Sequence, residues 1–579
     1  MALQYESNMQ NLVYQLDQGS GRKVIQSVLF VLFAFAMAAL YTFTNFQGLK
    51  NARAMEEAQL ARQLAVQGRL TTQVVRPLSI GRLADRVPDD KGRIHRHPDL
   101  LHPPGWPLLL AGLYRVTGIP QTGVPTAAHV HGHDYIPVGF SHFFAVLSAL
   151  WVWLMARKLF DPRVAALSVG AYLVSDLIWR NSLQGADWSA AMFFMLGAVY
   201  AALWAVDRPA NTPLDQVDGP LWRRLAPLIV AALLTAMAFL TRYAAGMVAL
   251  AVFLYVGTSR HRRAWGLALL YLAVAVLAVT PWMLRNISIS GNPFGLVFLN
   301  ALSGTYLFPG DSLFRMLRPE LPDLGAGMHA VQVKIMANLR SFSESGFGLG
   351  GGGILLALFG AMYFHRFNRP SSRRLRWCLL PAVVLLALVI AAYGEDALPA
   401  MVLFWPLAIP YAWAFCLVLL DRLQFEARFF AIGAMTVVMF LSGLPLLFQV
   451  LPPRTGLPYP PYFHRYVGWF STMLENDECI VTDIPWATAW YGGKTSILLP
   501  RTIDGFYDIH QNTHPIAMAY FTTVTRNKPW IRELSDPTSP EHSWYQIFAG
   551  GRVPSGFPLT HARYLAGTDQ LLLADRVRW

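Results

Sequence analysis

The residues best suited to chemistry begin with two adjacent glutamates, Glu56 and Glu57, in the segment 48–65. Alanines at positions 54, 58, 61 and 65 form one stripe on a helix, so this segment is predicted to be a packed helix beside the membrane. Arg53 precedes Glu57 by four residues and is expected to pair with it on the helix surface. Glu56 has no basic residue at that spacing, which makes it the better candidate for a carboxylate that faces a cavity. A plain solvated glutamate is the alternative.

Three further groups follow in a proline-containing stretch of the same loop. His97, Asp99 and His102 lie just before Pro103 and Pro104, and an apolar tail then returns towards the membrane surface. Residues that precede proline favour extended backbone, so the stretch is predicted to hold these imidazole and carboxylate groups at the interface. All three are candidate site residues.

A histidine-rich segment follows, with His129, His131 and His133 at alternate positions beside Asp134. On an extended strand these three imidazoles would project to one side. Their spacing is not that of a known structural zinc site, so a solvated loop is favoured over metal ligation. We therefore predict no metal or other cofactor and leave a divalent metal as the open alternative.

Charged residues also border the apolar runs on what is predicted to be the outer side. Asp187, Arg242 and Arg285 are expensive to desolvate at such positions, so they are expected to face a pathway, a site or a headgroup. Each arginine is a candidate phosphate ligand, and a lipid-headgroup anchor is the alternative.

The elements that must position these groups are predicted to be membrane helices. Of the 579 residues, 54% are hydrophobic and 14% are charged, which is more apolar surface than ordinary globular cores bury. About eleven runs are long enough to be predicted as spans. They lie at 24–44, 137–157, 163–180, 187–206, 223–241, 243–258, 264–284, 351–366, 375–393, 397–420 and 428–450.

Charge sets the predicted orientation. The net charge of +13 comes from arginines in short clusters between alternate apolar runs, which indicates cytoplasmic loops and argues against nucleic acid as a partner. The N-terminus is then cytoplasmic. Residues 45–136, 286–350 and 451–579 are all predicted to lie on the extracytoplasmic side of the membrane. The cysteines Cys378, Cys416 and Cys479 are far apart and indicate neither a disulfide framework nor a thiolate metal site.

The predicted membrane domain, 1–450, is followed by a segment of different character. A strand-like stretch at 478–483, a helix-like stretch at 487–491, a Gly-Gly turn and a second apolar strand at 496–499 predict a β-α-β unit. Residues 451–579 are therefore predicted to form a small extracytoplasmic α/β domain.

Together these stretches resemble bacterial members of the C-type glycosyltransferase superfamily, which includes aminoarabinose transferases and protein mannosyltransferases. The resemblance covers most of the chain, and the shared order of its motifs carries it. These motifs are Ala61-Arg62, His102-Pro-Pro-Gly-Trp-Pro, Gly185-Ala-Asp187, Leu240-Thr-Arg242, Pro281-Trp-Met-Leu-Arg285-Asn286, Gly291-Asn-Pro-Phe294, Asp483-Ile-Pro-Trp486 and Ala489-Trp-Tyr491-Gly.

The resemblance implies a polytopic α-helical protein of the bacterial inner membrane that transfers a sugar, with inversion, from a polyprenyl-phosphate carrier. In that family a carboxylate of the first outer loop acts as the base. Because Arg53 and Ala54 stand where the acidic pair usually falls, this role is expected of Glu56 or Glu57. His102 matches a basic phosphate contact, and Arg242 and Arg285 are further candidates.

Two other function classes are also compatible with the sequence. A non-catalytic subunit that keeps the transferase scaffold to bind lipid or membrane protein partners is supported by Arg53-Ala54 and by a late helix without an arginine for the donor phosphate. A transporter is disfavoured because no internal repeat and no broken, acidic membrane helix is found. Membrane lipid is a predicted partner in every case.

Overall fold

The structure is a computed structural model. It describes residues 20–86, 94–123, 130–206, 222–349, 353–394, 397–423, 428–451, 464–527, 531–548, 553–565 and 569–579. These residues form a largely helical body and one mixed sheet.

Sixteen helices make up the body as far as residue 450 within the described ranges. They are α1 (Ser20–Asn45), α2 (Ala52–Gln67), α3 (Pro77–Ala84), α4 (Gly105–Thr117), α5 (Tyr135–Leu159), α6 (Pro162–Leu173), α7 (Asp176–Ser182), α8 (Trp188–Val206), α9 (Trp222–Thr241), α10 (Val248–Gly257), α11 (Ala264–Ser290), α12 (Leu324–Leu349), α13 (Ile354–Ala361), α14 (Pro370–Tyr393), α15 (Ala397–Arg422) and α16 (Arg428–Val450).

Seven of the described helices are long and apolar enough to cross a membrane, namely α1, α5, α8, α11, α14, α15 and α16. Shorter apolar helices occupy three more of the predicted runs, at Leu225–Thr241, Tyr243–Gly257 and Ile354–Phe364. The predicted run 163–180 is divided into α6 and α7. The polytopic helical fold is thus confirmed, whereas the number of eleven spans stays a prediction.

The apolar helices differ in their surroundings. In α8 and α15 the most apolar windows are 72% and 78% buried inside the protein, whereas in α1 and α16 the figure is 11%. A helix that exposes apolar side chains all along its length needs a bilayer to cover them. The protein is therefore a multi-pass membrane protein with α8 and α15 near its centre.

The C-terminal part contains short helices and a six-stranded sheet. Its helices are α17 (His464–Ser471), α18 (Pro485–Ala487), α19 (Ile503–Asp508), α20 (Thr523–Asn527), α21 (Ile531–Leu534) and α22 (Tyr545–Phe548). The strands are β1 (Val74–Val75), β2 (Cys479–Thr482), β3 (Thr495–Leu498), β4 (Ile516–Phe521), β5 (His561–Tyr564) and β6 (Leu571–Ala574).

The strand order is β1-β3-β2-β4-β6-β5, in which the first four strands are parallel and the last two are antiparallel to their neighbours. Strands β2 and β3 flank a helical segment and pair in parallel, which confirms the predicted β-α-β unit. Strand β1 comes from the first outer loop, so that loop contributes directly to the C-terminal sheet. The predicted domain boundary at residue 451 stays a prediction.

Side-chain contacts also hold the first loop to the C-terminal part. Arg62 on α2 donates to the carbonyls of Ala489 and Trp490, at 2.6 and 2.7 Å. Asp134, just before α5, accepts hydrogen bonds from the Trp490 indole and the Tyr491 hydroxyl. These buried, charge-assisted contacts fix the position of α2, the helix that carries both glutamates.

Candidate functional site

Helix α2 presents Glu56 and Glu57 from a well-capped first turn. The side chain of Asn51 accepts hydrogen bonds from the backbone N–H groups of Arg53 and Ala54, which satisfies donors that a helix start leaves unpaired. The left-handed Gly68, with φ 68°, ends the helix. The predicted helix is confirmed, and both glutamates are buried, with exposed fractions of 4% and 0%.

Glu56 lies between two basic side chains. Arg76 Nη2 donates to both of its carboxylate oxygens, at 2.6 and 2.8 Å. His102 Nε2 lies 3.2 Å from Oε2 of the same carboxylate, and His102 Nδ1 lies 3.0 Å from Asp99 Oδ1. Each nitrogen of the His102 ring therefore faces a carboxylate, an arrangement that favours the doubly protonated imidazolium.

In this cluster the neighbouring charges affect the pKa values more strongly than burial does. Burial by itself would raise the pKa of Glu56, but Arg76 and His102 lower it to about 2. Burial would lower the pKa of His102, but Asp99 and Glu56 raise it to about 9. At neutral pH Glu56 is therefore an ionised carboxylate held by two cations.

Glu57 belongs to a different cluster, made of two carboxylates and two arginines. Arg53 Nε donates to Glu57 Oε1 at 2.8 Å, and Arg53 Nη2 reaches Asp187 Oδ2 at 3.0 Å. Arg242 Nη1 binds the other oxygen of Asp187 at 2.7 Å, and its guanidinium lies 3.2 Å from the centre of the Trp188 ring. Arginine stacked on an aromatic face in this way is held in one orientation.

The second oxygen of Glu57, Oε2, is buried and has no hydrogen-bond partner among the described residues. Burial and the neighbouring Asp187 charge raise the pKa of Glu57 to about 8, although Arg53 opposes the shift. Glu57 is therefore a carboxyl group that holds its proton at neutral pH.

A cavity of about 380 Å³ opens beside Glu56. That volume falls within the range of small-molecule sites. The residues that line it come from the first outer loop, the second outer loop, the end of α14 and the C-terminal part: Ala52, Arg53, Glu56, Arg76, Leu101, His102, Asn300, Ser303, Asp311, Phe314, Tyr393, Pro485, Trp486 and Leu498. Two carboxylates, Glu56 and Asp311, and three basic side chains thus share the cavity with the aromatic rings of Phe314, Tyr393 and Trp486.

Two sequence-based expectations about the glutamates were wrong in detail. The Arg53–Glu57 pair forms as predicted, but the Glu57 side chain is fully buried instead of lying on the surface. Glu56 does face a cavity, but Arg76 and His102, which are distant in sequence, supply the basic partners that helical spacing did not reveal. The catalytic roles of both glutamates stay predictions.

The other predicted residues are distributed as follows. His97 is buried and lies 2.8 Å from the Ser79 hydroxyl, and Asp99 supports His102. Arg285 Nη1 donates to the Asp99 carbonyl at 2.6 Å and stacks on Trp282. Neither Arg242 nor Arg285 is among the described residues that line the cavity. Their proposed phosphate contacts stay predictions.

The histidine-rich segment, for which a solvated loop was favoured, is not an extended strand, and within it His131 and Asp134 are buried. His129 lies outside the described residues, and Gly132–Asp134 forms a short 3-10 helix that leads into α5. The rings of His131 and His133 lie 5.3 Å apart, and His131 also contacts the Tyr491 ring. In this turn Asp134 accepts hydrogen bonds from the Trp490 indole and the Tyr491 hydroxyl of the C-terminal part, contacts that local spacing does not reveal.

Sequence reasoning missed Arg76 altogether, and it treated Arg53 as a partner of Glu57 and a departure from the family pattern but not as a residue of the cavity. Arg76 stands at the start of α3, and Pro77 fixes the first turn of that helix. The Arg-Pro pair at a helix start was the only local signal. Nothing in the spacing links Arg76 to a glutamate twenty positions earlier.

Comparison with known proteins identifies the fold. No protein-family model and no curated protein matches the sequence. Among solved structures, ArnT from Cupriavidus metallidurans bound to undecaprenyl phosphate is similar, with a TM-score of 0.55 and 13% identity over 95% of this chain and 98% of that chain. The archaeal oligosaccharyltransferase AglB from Archaeoglobus fulgidus gives a TM-score of 0.49 and 12% identity over 88% of this chain and 71% of its own.

The chain therefore has the fold of the C-type membrane glycosyltransferases, as the resemblance of its motifs implied. The similarity to ArnT extends over nearly the whole of both chains.

Proposed function

We propose that this protein is a membrane glycosyltransferase that moves a sugar from a polyprenyl-phosphate carrier to a hydroxyl group on an extracytoplasmic acceptor. The observation that carries the proposal is the cavity in which ionised Glu56 meets Arg53, Arg76 and His102. ArnT, which shares the fold, binds undecaprenyl phosphate, and this supports a lipid-linked donor.

In the proposed reaction Glu56 takes the proton of the acceptor hydroxyl as its oxygen attacks the anomeric carbon. The bond between that carbon and the phosphate oxygen breaks, and the polyprenyl phosphate leaves with the electron pair. Attack from the opposite side inverts the anomeric centre. The side chains of Arg76 and His102 neutralise the charge that grows on the leaving phosphate, which is typically a large contribution to catalysis.

Donor binding gives the site a means of activating its base. Before the donor binds, Arg76 and His102 pair with Glu56 and hold its pKa at about 2, which makes it a weak base. A phosphate in the cavity competes for the same two cations. As they turn to the phosphate, Glu56 loses its partners and its pKa rises towards the working pH, where a general base is most effective.

The site is proposed to work outside the cytoplasm. With the N-terminus cytoplasmic, the arginine clusters lie inside, and the three outer segments, which supply every cavity residue except Tyr393, meet on the outer face of the bacterial inner membrane. Polyprenyl carriers can then deliver the sugar phosphate laterally from the bilayer.

The test uses the full chain in proteoliposomes with radiolabelled polyprenyl-phosphate hexoses and pentoses, together with a membrane extract that supplies acceptors. Release of free polyprenyl phosphate and appearance of label in the extract are the two readouts. We expect both to require the protein and to be lost in the Glu56→Gln variant.

The competing role, a non-catalytic scaffold that binds the lipid carrier or a partner protein, draws on Arg53 in the position of the family's acidic pair. Native mass spectrometry of the same preparations separates the two proposals. Bound polyprenyl phosphate without turnover of any donor, and without any effect of Glu56→Gln, would favour the scaffold.

A further inference from the structure

A second cluster of chemically active side chains lies on the C-terminal sheet, away from the cavity. It combines His95 from the first outer loop, Cys479 at the start of β2 and His514 two residues before β4. One ligand atom from each of these three residues lies within 4.8 Å of the other two. Three distant segments thus bring two imidazoles and a thiol to the edge where these parallel strands begin.

The two imidazole rings face each other through their Nε2 atoms, which are 3.1 Å apart. In a tetrahedral zinc site with Zn–N distances of about 2.0–2.1 Å, two ligating nitrogens lie about 3.3 Å apart. The ring planes cross at 85°. The histidines are therefore close to the spacing that a shared metal ion requires.

The other nitrogen of each ring has a protein partner. His514 Nδ1 lies 2.9 Å from the Pro515 carbonyl, which only accepts, so this nitrogen carries the proton and Nε2 of the neutral ring holds a lone pair. His95 Nδ1 lies 3.2 Å from the Thr495 hydroxyl. Metal-ligating histidines are oriented in this way, with Nδ1–H bound to an oxygen and Nε2 turned towards the ion.

The thiol completes a donor set that suits zinc. Two imidazoles and one thiolate bind Zn²⁺ with water in the fourth position. Cys479 is fully buried, whereas His95 and His514 are half-buried, so the ion can reach the site from solvent. Nothing in the proposed transfer chemistry uses these residues.

We propose that His95, Cys479 and His514 form a zinc site that links the first outer loop to the C-terminal sheet. His95 precedes Asp99 and His102 on the same loop segment, and these two residues support Glu56. A metal ion at His95 would hold that segment against β2 and β4. Its role is positional, because the ion lies outside the cavity and touches no reacting atom.

The full-length protein in nanodiscs, stripped with a chelator, is titrated with Co²⁺ alone and then with Zn²⁺ alone. We expect uptake of about one ion per chain, with a visible spectrum of tetrahedral Co²⁺ and a sulfur-to-cobalt charge-transfer band that Zn²⁺ abolishes. Zn²⁺ should also raise the thermal unfolding midpoint, because it binds only the folded chain.

Variants identify the ligands. Cys479→Ser should remove the charge-transfer band, and His514→Gln should lower metal affinity by more than the about 10- to 100-fold typical of losing an outer-shell partner. If Cys479→Ser impairs folding, His95→Gln provides another variant at a half-buried position. Cys416→Ser, a buried cysteine outside the cluster, should leave both readouts unchanged.

Metal uptake that persists in Cys479→Ser and His514→Gln would mean adventitious surface binding and would overturn the proposal. No stoichiometric uptake by the wild-type chain would do the same and would leave His95 and His514 as a simple hydrogen-bonded pair. Neither result bears on sugar transfer, which is tested separately through Glu56.

Discussion

Two neighbouring carboxyl groups on one helix, Glu56 and Glu57, lie in opposite electrostatic surroundings. Two cations lower the pKa of Glu56 to about 2, whereas burial and Asp187 raise the pKa of Glu57 to about 8. Because successive helical residues point about 100° apart, one turn of α2 serves two clusters. Paired groups whose pKa values are pushed apart are typical of active sites with separate roles.

The two glutamates differ in their exposure to the cavity as well as in their pKa values. Glu56 lines the cavity and can meet an acceptor hydroxyl. Glu57 is not among the residues that line the cavity; it pairs with Arg53, and the network continues through Asp187 to Arg242, which directly follows α9. We infer that Glu56 is the general base and that Glu57 holds the Arg53 side chain in place at the cavity wall.

The largest expected effect comes from Glu56→Gln. Removing a general base typically costs 10²- to 10⁴-fold in rate, and the amide keeps the size of the side chain, so we expect transfer to fall by about that factor. Donor release in proteoliposomes measures it, with Glu57→Gln as the comparison. Equal losses in the two variants would contradict the separation of roles. Thermal unfolding checks that each variant is folded.

Arg76→Gln should have the next largest effect. Arg76 both partners Glu56 and faces the space where the donor phosphate would lie, and loss of one such charge-stabilising contact typically costs about 10²- to 10³-fold. The exposed Arg69 in the same loop supplies a matched control as Arg69→Gln. Weaker binding of polyprenyl phosphate in native mass spectrometry should accompany the loss of rate, and unchanged binding would argue against Arg76 as a phosphate contact.

Asp187→Asn tests how much the cluster of Glu57, Arg53, Asp187 and Arg242 contributes to the free energy of unfolding. Asp187 bridges Arg53 and Arg242 in a fully buried position, and removing one partner of a buried ion pair typically costs about 3–5 kcal/mol. The midpoint of thermal unfolding should fall clearly. Glu344→Gln, which removes an exposed ion pair with Arg340, should leave it unchanged. A midpoint equal to wild type would mean that the network contributes little.

His102→Asn should lower the rate of transfer, because a charge that stabilises the leaving phosphate is lost, and should also change the pH dependence of transfer. The raised pKa of about 9 keeps the imidazolium charged at neutral pH, so wild-type activity should decline only as the pH passes about 9. The asparagine variant carries no such charge and should lack that alkaline decline. A rate profile from pH 6 to 10 measures it, and an identical decline in the variant would assign it to another group.

Local sequence patterns predicted the helices but not the ion pairs that form between them, and the reason is physical. Apolar runs predict membrane helices because each span satisfies its own backbone, and the alanine stripe of α2 is likewise a local signal. The pairing of Arg76 with Glu56 and of Arg242 with Asp187 joins segments that meet only in the folded chain. Charge partners of this kind leave no trace in local spacing, so the pKa values that separate the two glutamates were beyond prediction.

The smallest effect concerns Glu57 and the pH dependence of stability. Between about pH 4.5 and pH 8 the folded chain keeps a proton on Glu57 that the unfolded chain has released, so this group makes the free energy of unfolding decrease as the pH rises through that window. Glu57→Gln cannot lose a proton and should remove this part of the slope. Thermal unfolding at pH 5, 6, 7 and 8 measures it, with Glu344→Gln expected to keep the wild-type slope. A slope unchanged in Glu57→Gln would mean that Glu57 is ionised in the folded protein, and the contrast with Glu56 would then disappear.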